Sequence, residues 1–96
     1  MSFSDFLRAD VRLVLLRTLA EMPAYRSNSS VLASMLERYG HAVTRAQVRT
    51  ELSWLAEQGL VRLEDVGGVA VVTLAERGED VATGRAVVPG IKRPGA

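Results

Sequence analysis

Arg45, Gln47, Arg49, Thr50 and Ser53 lie within nine residues and are the side chains here best suited to chemistry on a partner. Arginine donates in pairs to guanine or to phosphate, and glutamine can pair with adenine. Small side chains such as Ala46 and Thr50 permit close approach and contact with a thymine methyl. On a helix starting at Arg45, Val48, Leu52 and Leu55 share one face. Ala46, Thr50, Ser53 and Glu57 fall opposite, and the first two turns expose Ala46, Gln47, Thr50 and Ser53, edged by Arg45 and Arg49. The spacing therefore predicts a helix whose front half is free to enter a major groove. Glu51 lies beside Gln47 and would repel phosphate if it faced that groove.

Other chemistries find little material. There is no cysteine, which excludes disulfides and thiolate metal sites and suits a reducing cytosol. His41 is the one histidine and reads as an ordinary surface residue. Glu64-Asp65 and Glu79-Asp80 are adjacent pairs, and sequence neighbours do not converge on one ion without other segments. No nucleophile can be paired with a base, and Gly67, Gly68, Gly78 and Gly84 do not form a phosphate-binding motif. The chain is expected not to be an enzyme, to need no cofactor or metal, and to bind no evident small molecule. Charged residues break up the N-terminal hydrophobics, and no apolar run reaches membrane-spanning length, so a cytoplasmic protein is expected.

Ninety-six residues, about half of them apolar, can form one domain with a modest core built mainly from Leu, Val, Ala and Met. The pattern predicts a first helix over Ser4 to Met22, capped by Ser4 and stopped by Pro23. Leu7, Val11, Val14, Leu15, Thr18, Leu19 and Met22 form its inward stripe. Phe3, Phe6, Leu13, Leu16 and Ala20 widen the apolar surface. Either they contact a second copy in a homodimer, or the helix is embedded in its own domain. A polar connector at 24–30 leads to a second helix over 29–39, with Leu32, Met35, Leu36 and Tyr39 inward and Gly40 at its end. Thr44 caps the third helix, over 45–58, and Gly59 stops it. Two β-rich runs, 60–64 and 69–74, flank Gly67-Gly68, which predicts a tight hairpin. A helical turn or two is expected around Glu79 to Thr83. Residues 1–84 read as the domain, and 85–96 as an extended, basic, Pro/Gly-rich tail.

The order of three helices followed by a two-stranded ribbon resembles the winged helix-turn-helix family of bacterial transcriptional regulators. The resemblance runs from about Ser30 to Gly78. Its most specific part is Val48-x3-Leu52-x2-Leu55-x3-Gly59-Leu60-Val61, similar to the family's third helix and first wing strand. Thr73 to Gly78 resembles the stretch that leaves the wing, and the segment from Thr73 to Pro94 is also similar to the end of small winged-helix proteins of Mu-like phages and prophages. The fold class implied is mainly α with a small β-hairpin, a winged helix of three helices and a two-stranded wing. The resemblance places base contacts on the front half of the third helix, and phosphate contacts at Arg26 and Arg38 beside the second. It implies sequence-dependent binding of double-stranded DNA, by a phage or bacterial regulator or DNA-handling factor.

Charge distribution leaves a rival open. Net charge is only +1, and residues 59–84 hold two arginines against five acids. The wing tip, Glu64 to Val69, is acidic and then apolar, where a DNA-gripping wing would carry arginine or lysine. The alternative is a protein-interaction module that keeps the fold without binding DNA. Trp54 is expected to pack on the wing or on a partner subunit. Lys92 and Arg93 could serve as a minor-groove arm, but Val87, Val88 and Ile91 need burial, which favours docking of the tail across a neighbouring subunit.

Overall fold

Ser2 begins the first helix, two residues before the expected cap. In the computed structural model, which describes residues 2–95, its hydroxyl accepts the Asp5 N–H at 3.1 Å, and the Asp5 carboxylate accepts the Ser2 N–H at 3.4 Å. This reciprocal capping box outcompetes a cap at Ser4. Helix α1 spans Phe3–Glu21 and ends at Met22, ahead of Pro23. Val11, Leu15, Thr18 and Leu19 are buried as the stripe predicts, but Leu7 is exposed because little of the fold covers the first two turns. Part of the widened surface is covered by the chain itself. Leu13 and Leu16 are 4% and 0% exposed within the single chain, because α1 is packed on several sides.

After a short turn, Pro23–Tyr25, the segment read as a polar connector forms strand β1, Arg26–Asn28. Its residues are polar and show no alternation, so only its backbone pairing reveals it. Helix α2, Ser29–Arg38, is capped by Asn28, whose side-chain oxygen accepts the Val31 N–H at 2.9 Å. Leu32 and Leu36 are buried, while Tyr39 falls just past the helix end and turns outward. Helix α3, Arg45–Glu57, starts at Thr44 with a second capping box, to Gln47. Val48, Leu52 and Leu55 enter the core as expected.

Strands β2, Val61–Val66, and β3, Val69–Leu74, are joined by Gly67-Gly68 with φ of +58° and +84°, the conformation of a two-residue hairpin turn that glycine adopts without strain. The ribbon is not two-stranded. β1 adds to the far side of β3, giving an antiparallel sheet of order β1-β3-β2, with Ser27 opposite Val72 and Leu63 opposite Val72. The architecture is therefore mixed α/β, with four helices and a three-stranded antiparallel sheet among the described residues.

Helix α4, Glu76–Ala82, follows β3 directly. Its Gly78 lies on the Leu60 carbonyl, where an added Cβ would stand 2.1 Å from that oxygen, and the same oxygen accepts the Ala75 N–H at 3.0 Å. Residues 85–95 form no extended tail. Val88 and Ile91 are buried in the chain's own core, the Lys92 N–H donates to the Ala9 carbonyl at 3.1 Å, and Arg12 donates to the Gly90 carbonyl at 3.1 Å. The expected docking thus occurs within the chain, on α1, while Val87 stays exposed. No helix among the described residues is long and apolar enough to cross a membrane.

Candidate nucleic-acid interface

The capping box at Thr44 fixes where α3 begins, and the buried Val48, Leu52 and Leu55 fix its rotation. Together they leave Arg45, Ala46, Gln47, Arg49, Thr50 and Ser53 exposed along its front. Glu51 does not face outward with them. It is buried against α1, where its carboxylate meets Arg12 Nε at 2.7 Å and Arg8 Nε at 3.3 Å. The front of α3 therefore carries two arginines, a glutamine and small residues, and the acid between them is turned away and neutralised.

Several of these groups already have partners within the chain. The Gln47 side-chain oxygen accepts the Thr44 N–H at 2.8 Å, which leaves its amide N–H groups free and uses one of the oxygen's two lone pairs. The Thr50 hydroxyl donates to the Ala46 carbonyl at 3.0 Å, so its methyl is the more available end. Arg49 reaches across to the Gly68 carbonyl and ties the hairpin turn to α3. Arg45 and Ser53 are exposed at the start and middle of the same face.

The two proposed phosphate contacts are not equivalent. Arg26 lies on β1 and pairs with Glu64 of β2 at 3.3 Å, so much of its charge is already balanced. Arg38 is exposed in the last turn of α2, where it also complements the helix dipole. The hairpin tip is as its residues foretold. Asp65 and Glu64 are exposed, and Val66 and Val69 are 52% and 41% accessible.

Two clusters beside α3 were not foreseen. Arg12 lies 3.8 Å from the centroid of Trp54, so Trp54 packs under an α1 arginine and against Gly90. His41 is not an ordinary surface residue: its side chain is largely buried, and its Nε2 lies 2.7 Å from Asp10, whose other oxygen lies 3.4 Å from Lys92 Nζ. This bridge joins α1, the turn before α3 and the C-terminal segment. Burial works to raise the Asp10 carboxyl, but hydrogen bonds from His41 and Lys92 and their charges outweigh it and hold the group below its ordinary value. Arg12 and Asp10 stand two residues apart on α1, yet their partners lie far along the chain, and no local spacing announces that.

Of the residues read as a dimer contact, Leu13 and Leu16 have no surface to offer and Ala20 is half-buried. Phe3 and Phe6, 76% and 48% exposed, remain outside on the first turns of α1, with the Phe6 ring 5.7 Å from Lys92 Nζ.

No protein-family model matches the chain. Over 91 residues it is 50% identical to the uncharacterized protein gp26 of Escherichia phage Mu, which covers 95% of this chain and 94% of that protein. It is also 44% identical over 78 residues to an uncharacterized protein of Haemophilus influenzae, across 80% of this chain and 76% of the other.

Proposed function

The chain belongs to the family of the phage Mu protein gp26, and from that premise we propose that it is a small phage or prophage winged-helix protein that binds duplex DNA through the front of α3. One observation carries the reading. The front half of α3 is open to solvent with Arg45, Ala46, Gln47, Arg49, Thr50 and Ser53 on it, and Glu51, the acid within that stretch, faces the interior. Small side chains on the exposed face suit a helix that must lie deep in a major groove. Arg45 and Arg49 edge that face and Arg38 adds a further charge. The protein would act in the host cytoplasm as a regulator or DNA-handling factor, without catalysis of its own.

Anisotropy of labelled mixed-sequence duplexes tests this. Binding is expected at low salt, and Arg45→Ala is expected to weaken it roughly tenfold, the scale of one lost base or phosphate contact. Absence of binding at low salt and micromolar protein ends the DNA reading.

A second reading rests on the hairpin. Its tip presents Glu64 and Asp65 with exposed Val66 and Val69, which suits a protein surface better than a phosphate backbone. On that reading the protein is an interaction module, and hairpin substitutions would affect its partner while α3 substitutions would not.

A further inference from the structure

The sheet order β1-β3-β2 leaves β2 on the outside, six residues long, with residues 62–66 exposed. The two-residue turn makes Val66 and Val69 a hydrogen-bonded pair. Bonded and non-bonded pairs alternate along an antiparallel ladder, so Glu64 bonds to Val71 and Arg62 to Thr73. The backbone groups of Val61, Leu63 and Asp65 therefore point out of the sheet's edge. Such a row is a template for another strand unless proline, a bulge or repelling charge blunts it. β2 has no proline and runs in unbroken register with β3. Its charges are of both signs: Arg62, Glu64 and Asp65.

We propose that this edge pairs antiparallel with the same edge of a second copy, with Leu63 opposite Leu63 on a two-fold axis. The register follows from geometry. A two-fold axis normal to the sheet pairs only residues that share a face, so a residue can oppose only itself or one an even number of positions away. Centring on Arg62 or on Glu64 would set like charges opposite each other. Centring on Leu63 sets Arg62 of each copy against Glu64 of the other, twice, and brings the outward backbone groups of Leu63 together, with Val61 opposite Asp65. Arg26 already stands 3.3 Å from Glu64, so in the dimer that carboxylate lies between two guanidinium groups. Opposite charges across neighbouring strands favour pairing, and like charges oppose it. Two three-stranded sheets become one continuous sheet, and Leu63, 38% exposed in one chain, is covered by its symmetry mate. The partner is thus a second copy of this chain, held by β2 and not by the α1 residues first suspected. This surface is independent of the DNA reading.

Sedimentation of the intact chain from micromolar to submillimolar concentration tests it. The wild type is expected to reach twice the chain mass. Arg62→Glu turns two attractive pairs repulsive and should weaken association at least about tenfold. Adding Glu64→Arg to that variant should restore it. Circular dichroism checks that these exposed substitutions leave the fold intact. A wild type that stays monomeric throughout overturns the proposal. So does a dimer that Arg62→Glu leaves unchanged, since it would be held by another surface, such as Phe3 and Phe6.

Discussion

Glu51 shows how one side chain's direction alters the character of a helix. Its carboxylate is held by Arg12, with both side chains about nine-tenths covered, and by the more exposed Arg8. The outer arm is screened and contributes little, so the inner pair dominates. Glu51→Ala would strand Arg12 in a low-dielectric site, at a cost of about 3 kcal/mol. Urea unfolding should show this, with a smaller loss for Glu51→Gln, which keeps a hydrogen bond. Asp10 acts in a pH-dependent way. Its folded value lies below the ordinary 3.8, so its bridge stabilises the fold fully above that value and loses the contribution as pH falls through the folded one. The stability gap between wild type and Asp10→Asn should shrink as pH falls below about 4, as thermal melts on the acid side can establish. Exposure of the five α3 side chains was legible in the sequence, because 3.6-residue periodicity alone fixes which face is inward. The inward turn of Glu51 was not, since it lies on the boundary between the two faces and was settled by arginines some forty positions away.

Among the elements, α2 could be read from its apolar spacing, and α3 and the hairpin from their end signals. Thr44 and Gly67-Gly68 are local signals whose chemistry needs no distant partner. β1 and the C-terminal segment escaped for the opposite reason. The ladder of β1 is supplied by β3, more than forty positions on, and Val88 and Ile91 find their cover on a helix formed at the other end of the chain. Helix α4 offers a sharper test of this packing. In an exposed helix, Gly→Ala would gain about 1 kcal/mol from propensity. At Gly78 the added methyl would meet the Leu60 carbonyl 2.1 Å away, and backbone at that point is held by the Ala75 hydrogen bond. Overpacking should win, so Gly78→Ala is expected to destabilise by about 2 kcal/mol net in chemical denaturation. A stabilised variant would mean that α4 does not sit on the Leu60 carbonyl as described.

For the molecule as a whole, a net charge of +1 sets the terms on which it could meet a polyanion. On the DNA reading, Arg45, Arg49 and Arg38 are the cations best placed to neutralise phosphates, since Arg26 is balanced by Glu64. Each phosphate contributes a slope of about −0.9, so log affinity against log salt should fall with a slope of about −3. A titration between low and moderate salt would measure it. A slope near zero would mean that the contacts are not ionic, and would favour the hairpin as the working surface.

The bond from Arg12 to Gly90 spans 78 positions, which bears on how the chain comes into being. A ribosome releases α1 long before it makes the residues that cover Arg12 and Trp54. Throughout that interval this flank of the nascent protein is bare, and closing it waits on a loop as long as most of the domain. Translation itself therefore keeps α1 unfinished until the segment around Gly90 has been made.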